Sequence, residues 1–217
     1  MTIRTLLAAA SQFKPTGSIP GSDELLFGDF QSRGFYGEVD ASDLIGGMAL
    51  SELCDLSSIG VLMEDNPTWL KFSRFGKILF IPKVPLRHSI TIDQYRDRDL
   101  VYGRTVVIRG HRYLVRFMTG GNANPATDSG GEWNDLMYPI SVGRPANQPI
   151  WANYSQSSLK VTDGGLGSAT FCQEVRSGQT FHIYRGYTGI RTFSQAHANS
   201  TMNHYGWRPV LEYIGPI

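Results

Sequence analysis

The stretch GWRPVLEYI, residues 206–214, decides how this chain of 217 residues completes its fold. Proline has no N–H to donate to a β-ladder, so it is accepted at the first position of a strand but not within a sheet. The residues that follow Pro209 are typical of strands: Val210, Leu211, Tyr213 and Ile214. We therefore predict a terminal β-strand that the chain enters through Pro209, with Trp207 and Arg208 just before it.

Two β-hairpins are predicted upstream of this strand. Residues 68–86 alternate apolar and polar side chains around a turn at 75–77, and residues 104–118 do so around Arg109 and Gly110. Residues 194–206 are polar and are predicted as a loop. The remaining predicted elements are strands at 169–175 and 180–186, a short helix starting at Asp93, and a helix at 132–138.

Residues 1–66 differ from the rest of the chain because glycines interrupt their short apolar runs. One short helix is predicted there, with Asp40 or Ser42 as its N-cap. Its apolar residues have near-helical spacing: Leu50, Leu53, Cys54 and Leu56. Because this segment is too interrupted to bury a core alone, we predict that residues 1–66 are an N-terminal assembly or anchoring arm. They would dock on a partner or on the main domain, residues 67–217.

Composition limits the classes of function. Hydrophobic residues make up 41% of the chain and aromatic residues 12%, which is enough for a core. The net charge is only +1, without a basic stripe, so nucleic acid is not an expected partner. No apolar run approaches the roughly 20 residues of a membrane helix, so membrane insertion is not expected. Cys54 and Cys172 are predicted to be buried free thiols.

Metal and nucleophile chemistry find little support in the spacing of the residues. The five histidines lack the short, fixed spacings of a zinc site: His88, His111, His182, His197 and His204. The nucleophile motif GxSxG is absent. Cys172 with His182 or His204 stays open as an alternative, since such partners meet only in space. We predict no metal and no cofactor.

Carboxylates offer a second route to catalysis. A glycosidase-type pair of carboxylates could be drawn from Glu132, Asp135 and Glu174, but the sequence does not place these residues across one cleft. We predict structural roles for them. The glycine-rich segments 119–125 and 162–168 lack the lysine and the strand-to-helix context of a phosphate loop and are predicted as turns.

Aromatic side chains next to amides and hydroxyls are suited to recognise a sugar or a protein, because one end is apolar and the other forms hydrogen bonds. We predict that Trp133, Trp151 and Trp207 are core residues that hold long loops. The candidate ligand-binding residues are those that remain available in or beside the loops: Tyr154, Tyr184, Tyr187, Asn199, Asn203 and Tyr205.

Several segments together carry a family resemblance. They are GGEWNDLMY (130–138), FCQEV (171–175), YRGYTGI (184–190) and GWRPVLEYI, preceded by GDFQSRGFYGEV (28–39) and the hairpin WLKF…GKILFIPK (69–83). From about Leu25 the chain resembles a widespread group of tailed-bacteriophage virion proteins. More distantly, residues 67–217 resemble C-type-lectin-like domains of the formylglycine-generating-enzyme and phage tropism-determinant kind.

This resemblance implies an α+β fold with a small antiparallel sheet, short helices, long loops and an extended N-terminal arm. It also implies that the closing strand pairs with the strand near Trp69, and that Trp207 and Arg208 lock the polar loop. The paired cysteines of the enzyme branch are missing, since Cys172 stands alone in its half. The resemblance therefore implies the fold and no oxidase chemistry.

This resemblance, together with the predicted arm, implies a non-enzymatic virion structural protein, a tail, neck or head-decoration component. It would dock on the particle through its arm and present a lectin-like domain to a protein or a host-surface glycan. A polysaccharide-acting hydrolase of the virion is the alternative. The expected partners are other virion proteins and further copies of the chain, and the expected location is the virion, assembled in the host cytoplasm.

Overall fold

The computed structural model describes residues 19–121, 130–162, 164–175 and 180–217. Within them the chain is mostly β-structure with a few short helices, which is compatible with the predicted α+β class. The strands are β1 (Phe27–Gly28), β2 (Arg33–Val39), β3 (Val61–Leu62), β4 (Trp69–Arg74), β5 (Lys77–Pro82), β6 (Arg87–His88), β7 (Arg104–Ile108), β8 (His111–Arg116), β9 (Ala169–Val175), β10 (Phe181–Arg185), β11 (Phe193–His197), β12 (Tyr205–Trp207) and β13 (Val210–Pro216). The helices are α1 (Gly47–Leu53), α2 (Ile92–Arg96), a π-helix (Trp133–Met137) and α3 (Tyr138–Ile140).

Two sheets contain these strands. The seven-stranded sheet has the order β1-β2-β4-β5-β13-β8-β7, and the six-stranded sheet has the order β11-β10-β9-β12-β6-β3. Both predicted hairpins are confirmed, as β4 with β5 and β7 with β8. Phe75 and Gly76 have φ values of 50° and 74°, and Arg109 and Gly110 have 49° and 81°. Two successive positive φ values are typical of the tight turns that match the twist of a hairpin.

The predicted terminal strand is confirmed as β13, but its predicted pairing is wrong. The strand near Trp69 is β4, whose two edges are taken by β2 and β5. β13 instead lies between β5 and β8, where Leu211 is opposite Phe80 on one side and Val115 on the other. A strand that pairs on both sides is a central strand, so the GWRPVLEYI stretch joins the two hairpins into one sheet.

The six-stranded sheet confirms the two strands predicted at 169–175 and 180–186, as β9 and β10. The segment predicted as a polar loop, 194–206, instead contributes most of β11 and the start of β12. β12 runs parallel to β9 and antiparallel to β6. A Cβ on Gly206 would lie 2.1 Å from the carbonyl oxygen of Gly167, so only glycine fits at the start of the GWRPVLEYI stretch.

Two hydrophobic cores cover the seven-stranded sheet. The first contains side chains from both sheets, among them Phe80, Leu211 and Trp207. The second packs the opposite side of the seven-stranded sheet against the π-helix and the loop that follows it. Trp133, Trp151 and Trp207 are buried, which confirms that they are core residues, and both cysteines are buried free thiols as predicted.

The described part of the predicted arm, residues 19–66, takes part in both sheets through β1, β2 and β3. The predicted caps Asp40 and Ser42 are wrong, because the N-cap of α1 is Gly46. Leu50, Cys54 and Leu56 enter the first core, whereas Leu53 is 39% exposed. Residues 1–18 lie outside the described residues, and the division into units of 1–66 and 67–217 stays a prediction.

Candidate functional site

Five aromatic rings meet at the six-stranded sheet, and we call them the aromatic cluster: Phe171, Tyr184, Tyr187, His204 and Tyr205. The centroid of Tyr205 is 4.7 Å from that of Phe171 and 5.5 Å from that of Tyr184. The ring of His204 lies 4.4 Å from Tyr205 and 4.6 Å from Tyr187. The cluster therefore forms a continuous set of ring contacts that contains three of the predicted ligand-binding tyrosines.

Strand register explains why these rings meet. Tyr184 on β10 is directly opposite Phe171 on β9, and β12 brings Tyr205 alongside β9. Tyr184 and Tyr205 are each only 7% exposed, so they form the buried base of the aromatic cluster. Tyr187 and His204 are half-buried. These two rings are therefore the part of the cluster that a ligand can reach.

The glycine-rich loop predicted as a turn holds the exposed side of the cluster. Gly164 has a φ of 65°, and a Cβ there would lie 2.9 Å from the Tyr187 ring, so glycine allows this close approach. The N–H of Gly164 donates to the carbonyl of Tyr187 at 2.8 Å. Likewise the N–H of Gly167 donates to the carbonyl of Asn203 at 2.9 Å, which leaves the exposed Asn203 beside His204.

Two titratable groups of the aromatic cluster, His204 and Tyr205, are uncharged at neutral pH. Burial lowers the pKa of His204 below its usual value of 6.5, so the imidazole is neutral at pH 7 and has one donor and one acceptor nitrogen. Burial, together with the neighbouring Tyr184 and Tyr187, raises the pKa of Tyr205 above 10. At neutral pH the cluster can offer ring faces and uncharged hydrogen-bonding groups, which suit a neutral polar ligand.

Two of the predicted ligand-binding residues lie apart from these ring contacts. Tyr154 packs against the second core, and its ring centroid is 4.3 Å from Nζ of Lys83. Burial and a hydrogen bond with Glu38 raise the pKa of Tyr154. Asn199 is exposed in the turn after β11. The structure thus brings together Tyr184, Tyr187 and Tyr205, with Asn203 next to them.

His204 lies in the segment predicted as a polar loop, but its ring joins Tyr187 to Tyr205. The signal available in the sequence is its position directly before Tyr205 and the GWRPVLEYI stretch. His204 follows the residue that anchors the glycine loop, so its place depends on a contact between segments far apart in sequence. Local spacing does not record such a contact.

The alternative of a nucleophilic Cys172 gains no support from its surroundings. The thiol is fully buried, its Sγ lies 3.7 Å from the carbonyl oxygen of Thr170, and burial raises its pKa well above 9. Nε2 of the buried His182 accepts a hydrogen bond from Arg96 at 3.0 Å. A buried, protonated thiol is a poor nucleophile. Within the described residues, no group of three or more metal-binding side chains occurs.

Glu132 is held in a buried ion-pair network. Arg116 donates to both of its carboxylate oxygens, at 2.8 and 2.5 Å, and the N–H of Thr119 donates to Oε2 at 2.9 Å. Arg116 also donates to Glu212 at 3.0 Å, and Lys77 donates to Glu212 at 2.5 Å. Both carboxylates are therefore occupied by cations.

The other two candidate carboxylates are also occupied. Asp135 on the π-helix accepts from Nε of Arg74 at 2.9 Å. Glu174 accepts three hydrogen bonds from the N–H groups of Gly120 and Gly121. Each carboxylate thus ties an irregular segment to a strand, which is a structural use.

Two buried arginines lie against the ring of Trp133, and one of them belongs to the GWRPVLEYI stretch. The Cζ atoms of Arg185 and Arg208 lie 5.9 and 5.8 Å from the ring centroid of Trp133. Arg208 donates to the carbonyl of Leu159, and burial lowers its pKa to about 9. Trp207 points into the first core, where its ring stacks on Tyr95 at 6.2 Å. Two successive residues where β12 leads into β13 therefore contact different cores, Trp207 the first and Arg208 the second.

None of the helices in the described residues is long and apolar enough to cross a membrane. Comparison with protein-family models, with curated proteins and with solved structures finds no match to this chain.

Proposed function

We propose that the chain is a non-enzymatic structural protein of a tailed-bacteriophage virion, a tail, neck or head-decoration component. In this proposal residues 67–217 form a C-type-lectin-like domain, and the aromatic cluster binds a protein or a host-surface glycan. The observation that carries the proposal is the half-buried pair of Tyr187 and His204, whose rings lie 4.6 Å apart over buried tyrosines.

Ring faces of this kind are suited to sugars. A sugar ring presents C–H groups that pack on an aromatic face, while its hydroxyls need neutral donors and acceptors at the rim. The neutral His204 and the exposed Asn203 supply such groups next to the Tyr187 ring. A rigid base formed by Tyr184 and Tyr205 lowers the entropy cost of binding, because it fixes the ring positions in advance.

A structural role is favoured over the alternative hydrolase by the state of the acidic residues. A glycosidase needs one carboxyl group available as an acid and another as a base or nucleophile. Glu132 is 2% exposed and bound by Arg116, and Glu174 is bound by backbone N–H groups. Neither is available to a substrate in this arrangement.

The proposed particle contact lies in the arm. Residues 19–66 share the core with the rest of the chain, so docking would use their exposed side chains. Phe27 in the short edge strand β1 is 43% exposed, and Leu26 directly before it is 50% exposed. Large exposed apolar side chains at a sheet edge are suited to bind a partner. We assign this edge to the neighbouring virion protein.

The glycan contact is tested by binding of the labelled full chain to an array of bacterial surface polysaccharides. Tyr187→Ala and His204→Ala should each weaken binding at least about tenfold, which corresponds to about 1.4 kcal/mol. Tyr102→Ala is the matched control, since Tyr102 is 64% exposed outside the aromatic cluster, and it should bind like the parent. Unchanged binding by both cluster variants would rule out this surface. Release of new reducing ends from a bound polysaccharide would instead favour the hydrolase.

A further inference from the structure

The outer edge of β7 ends the seven-stranded sheet. The turn at Arg109 and Gly110 joins β7 to β8 with Ile108 opposite His111. In a hairpin with a two-residue turn, the residues that flank the turn exchange both N–H···O bonds, and the bonded pairs then alternate along the ladder. The N–H and C=O groups of Thr105 and Val107 therefore point away from β8. Within the described ranges, no other segment forms a hydrogen bond with them.

This edge differs from the other sheet edges in the described part of the chain. β1 and β3 have only two residues each, and β11 contains the polar residues Ser194, Gln195 and His197. β7 has the sequence RTVVI, and its five consecutive pairs with β8 contain no bulge. Short strands, charged side chains, prolines and bulges are the usual protection of an edge against pairing. β7 has one of these features, Arg104 at its first position, and the charge of Arg104 is paired with Asp55.

The side chains of β7 divide cleanly between the core and the surface. Val106 and Ile108 are buried in the first core, 6% and 4% exposed. Thr105 is exposed and Val107 is 48% exposed on the opposite side. On the same side of β13, Ile214 is 49% exposed. The edge therefore combines free backbone groups with an exposed apolar surface.

We propose that β7 pairs antiparallel with β7 of a second copy of the chain, about a two-fold axis at Val106. Thr105 of one copy is then opposite Val107 of the other, and each of these two pairs exchanges both N–H···O bonds. Val106 is opposite Val106 in the pair without hydrogen bonds. The two seven-stranded sheets become one continuous sheet with an interface that uses the same surface on both copies.

The pattern of β7 favours a second copy over a different partner, because the edge is complementary to itself. The residues with free backbone groups are placed symmetrically about Val106, so every one of these groups finds a partner in this register. The exposed pairs join Thr105 to Val107, and β-branched residues pack well across strands. Arg104 falls opposite Ile108, and its charge is already paired with Asp55 at 2.5 Å, so no like charges meet. This dimer would stand whether or not the aromatic cluster binds a glycan.

The mass of the full chain in solution, measured by light scattering and by sedimentation, tests the proposal. The parent should change from the 24.1 kDa monomer to twice that mass over a concentration range of about 100-fold. The double variant T105K/V107K places lysine opposite lysine and should weaken the dimer at least about tenfold. The matched control T105E/V107K places glutamate opposite lysine at the same positions, so it should keep the dimer, more weakly at high salt.

Hydrogen exchange of the parent gives a readout that needs no variant. The amides of Thr105 and Val107 should exchange slowly at concentrations where the dimer forms and rapidly on dilution. A parent that stays monomeric would overturn the proposal, as would a T105K/V107K variant that dimerises like the parent. Equal loss of the dimer in both double variants would overturn the register. The proposal also fails if the chain is monomeric and the amides of Thr105 and Val107 exchange slowly only when another virion protein is added, because the partner of β7 is then not a second copy.

Discussion

Leu211→Ala tests the central position of β13. Leu211 is fully buried in the first core, and its neighbours Phe80 and Val115 are held in strands on both sides. Removing a buried leucine costs about 2 to 5 kcal/mol, with larger values where the surroundings cannot collapse into the cavity. Because paired strands restrain both neighbours, we expect about 3 to 5 kcal/mol. At about 2 to 4 °C per kcal/mol, the midpoint of thermal unfolding should fall by roughly 6 to 20 °C.

Urea unfolding followed by circular dichroism and by tryptophan fluorescence measures this loss. Ile214→Ala is the matched control, since Ile214 lies on the same strand but is 49% exposed, and it should cost less than about 1 kcal/mol. The slope of the unfolding free energy with urea should not change in either variant. If the two variants lose the same free energy of unfolding, Leu211 does not lie in a central strand, and the order of the seven-stranded sheet is wrong.

Three further outcomes are expected from the same region. Trp207→Ala should lower the free energy of unfolding by about 3 to 5 kcal/mol in a urea titration, because its buried ring stacks on Tyr95; a loss under 1 kcal/mol would contradict this packing. Burial opposes ionisation of Glu212, but its bonds to Lys77 and Arg116 leave its pKa in the folded protein below 4.5. The ionised Glu212 should therefore stabilise the folded state fully above pH 4.5, and this contribution to the free energy of unfolding should be lost as the pH falls through the lower folded pKa. Glu212→Gln should flatten that decline, and an unchanged pH profile would count against the network. A truncation after Tyr205 removes β13 and should give an aggregating chain, whereas a monomer that unfolds at the parent temperature would show that β13 is peripheral.

Local patterns explain which parts of the fold were predictable. The two hairpins follow from alternating side chains and from turns such as Phe75–Gly76, all within a short stretch of sequence. The partners of β13 lie far away in the sequence, since Lys77 on β5 and Glu212 on β13, which are in contact, are 135 residues apart. Alternation within a strand does not specify such a partner. The pairing with β4 was therefore wrong, although the strand itself was right.

The aromatic cluster was also only partly predictable, because it depends on contacts between segments that are distant in sequence. Tyr184, Tyr187 and Tyr205 were selected because aromatic residues stood beside polar segments, and the structure brings them together. Tyr205 belongs to β12, a strand that the polar sequence before it concealed, because residues 194–206 were predicted as a loop. His204 was missed because its role depends on the glycine loop at Gly164. The ion pair of Glu132 with Arg116 and the hydrogen bond of Arg208 to Leu159 likewise join separate segments of the chain.

The position of β13 also bears on how the chain is made. β5 and β8 are both synthesised before the strand that fills the space between them. On the ribosome, their facing edges therefore stay without their native partner while four strands of the six-stranded sheet, β9 to β12, are being produced. Long-range strand pairing is slow, and an unpaired edge attracts other nascent chains. We expect the yield of folded protein to fall when translation between β8 and β13 is slowed, and to rise with chaperones that shield these edges until Val210–Pro216 emerges.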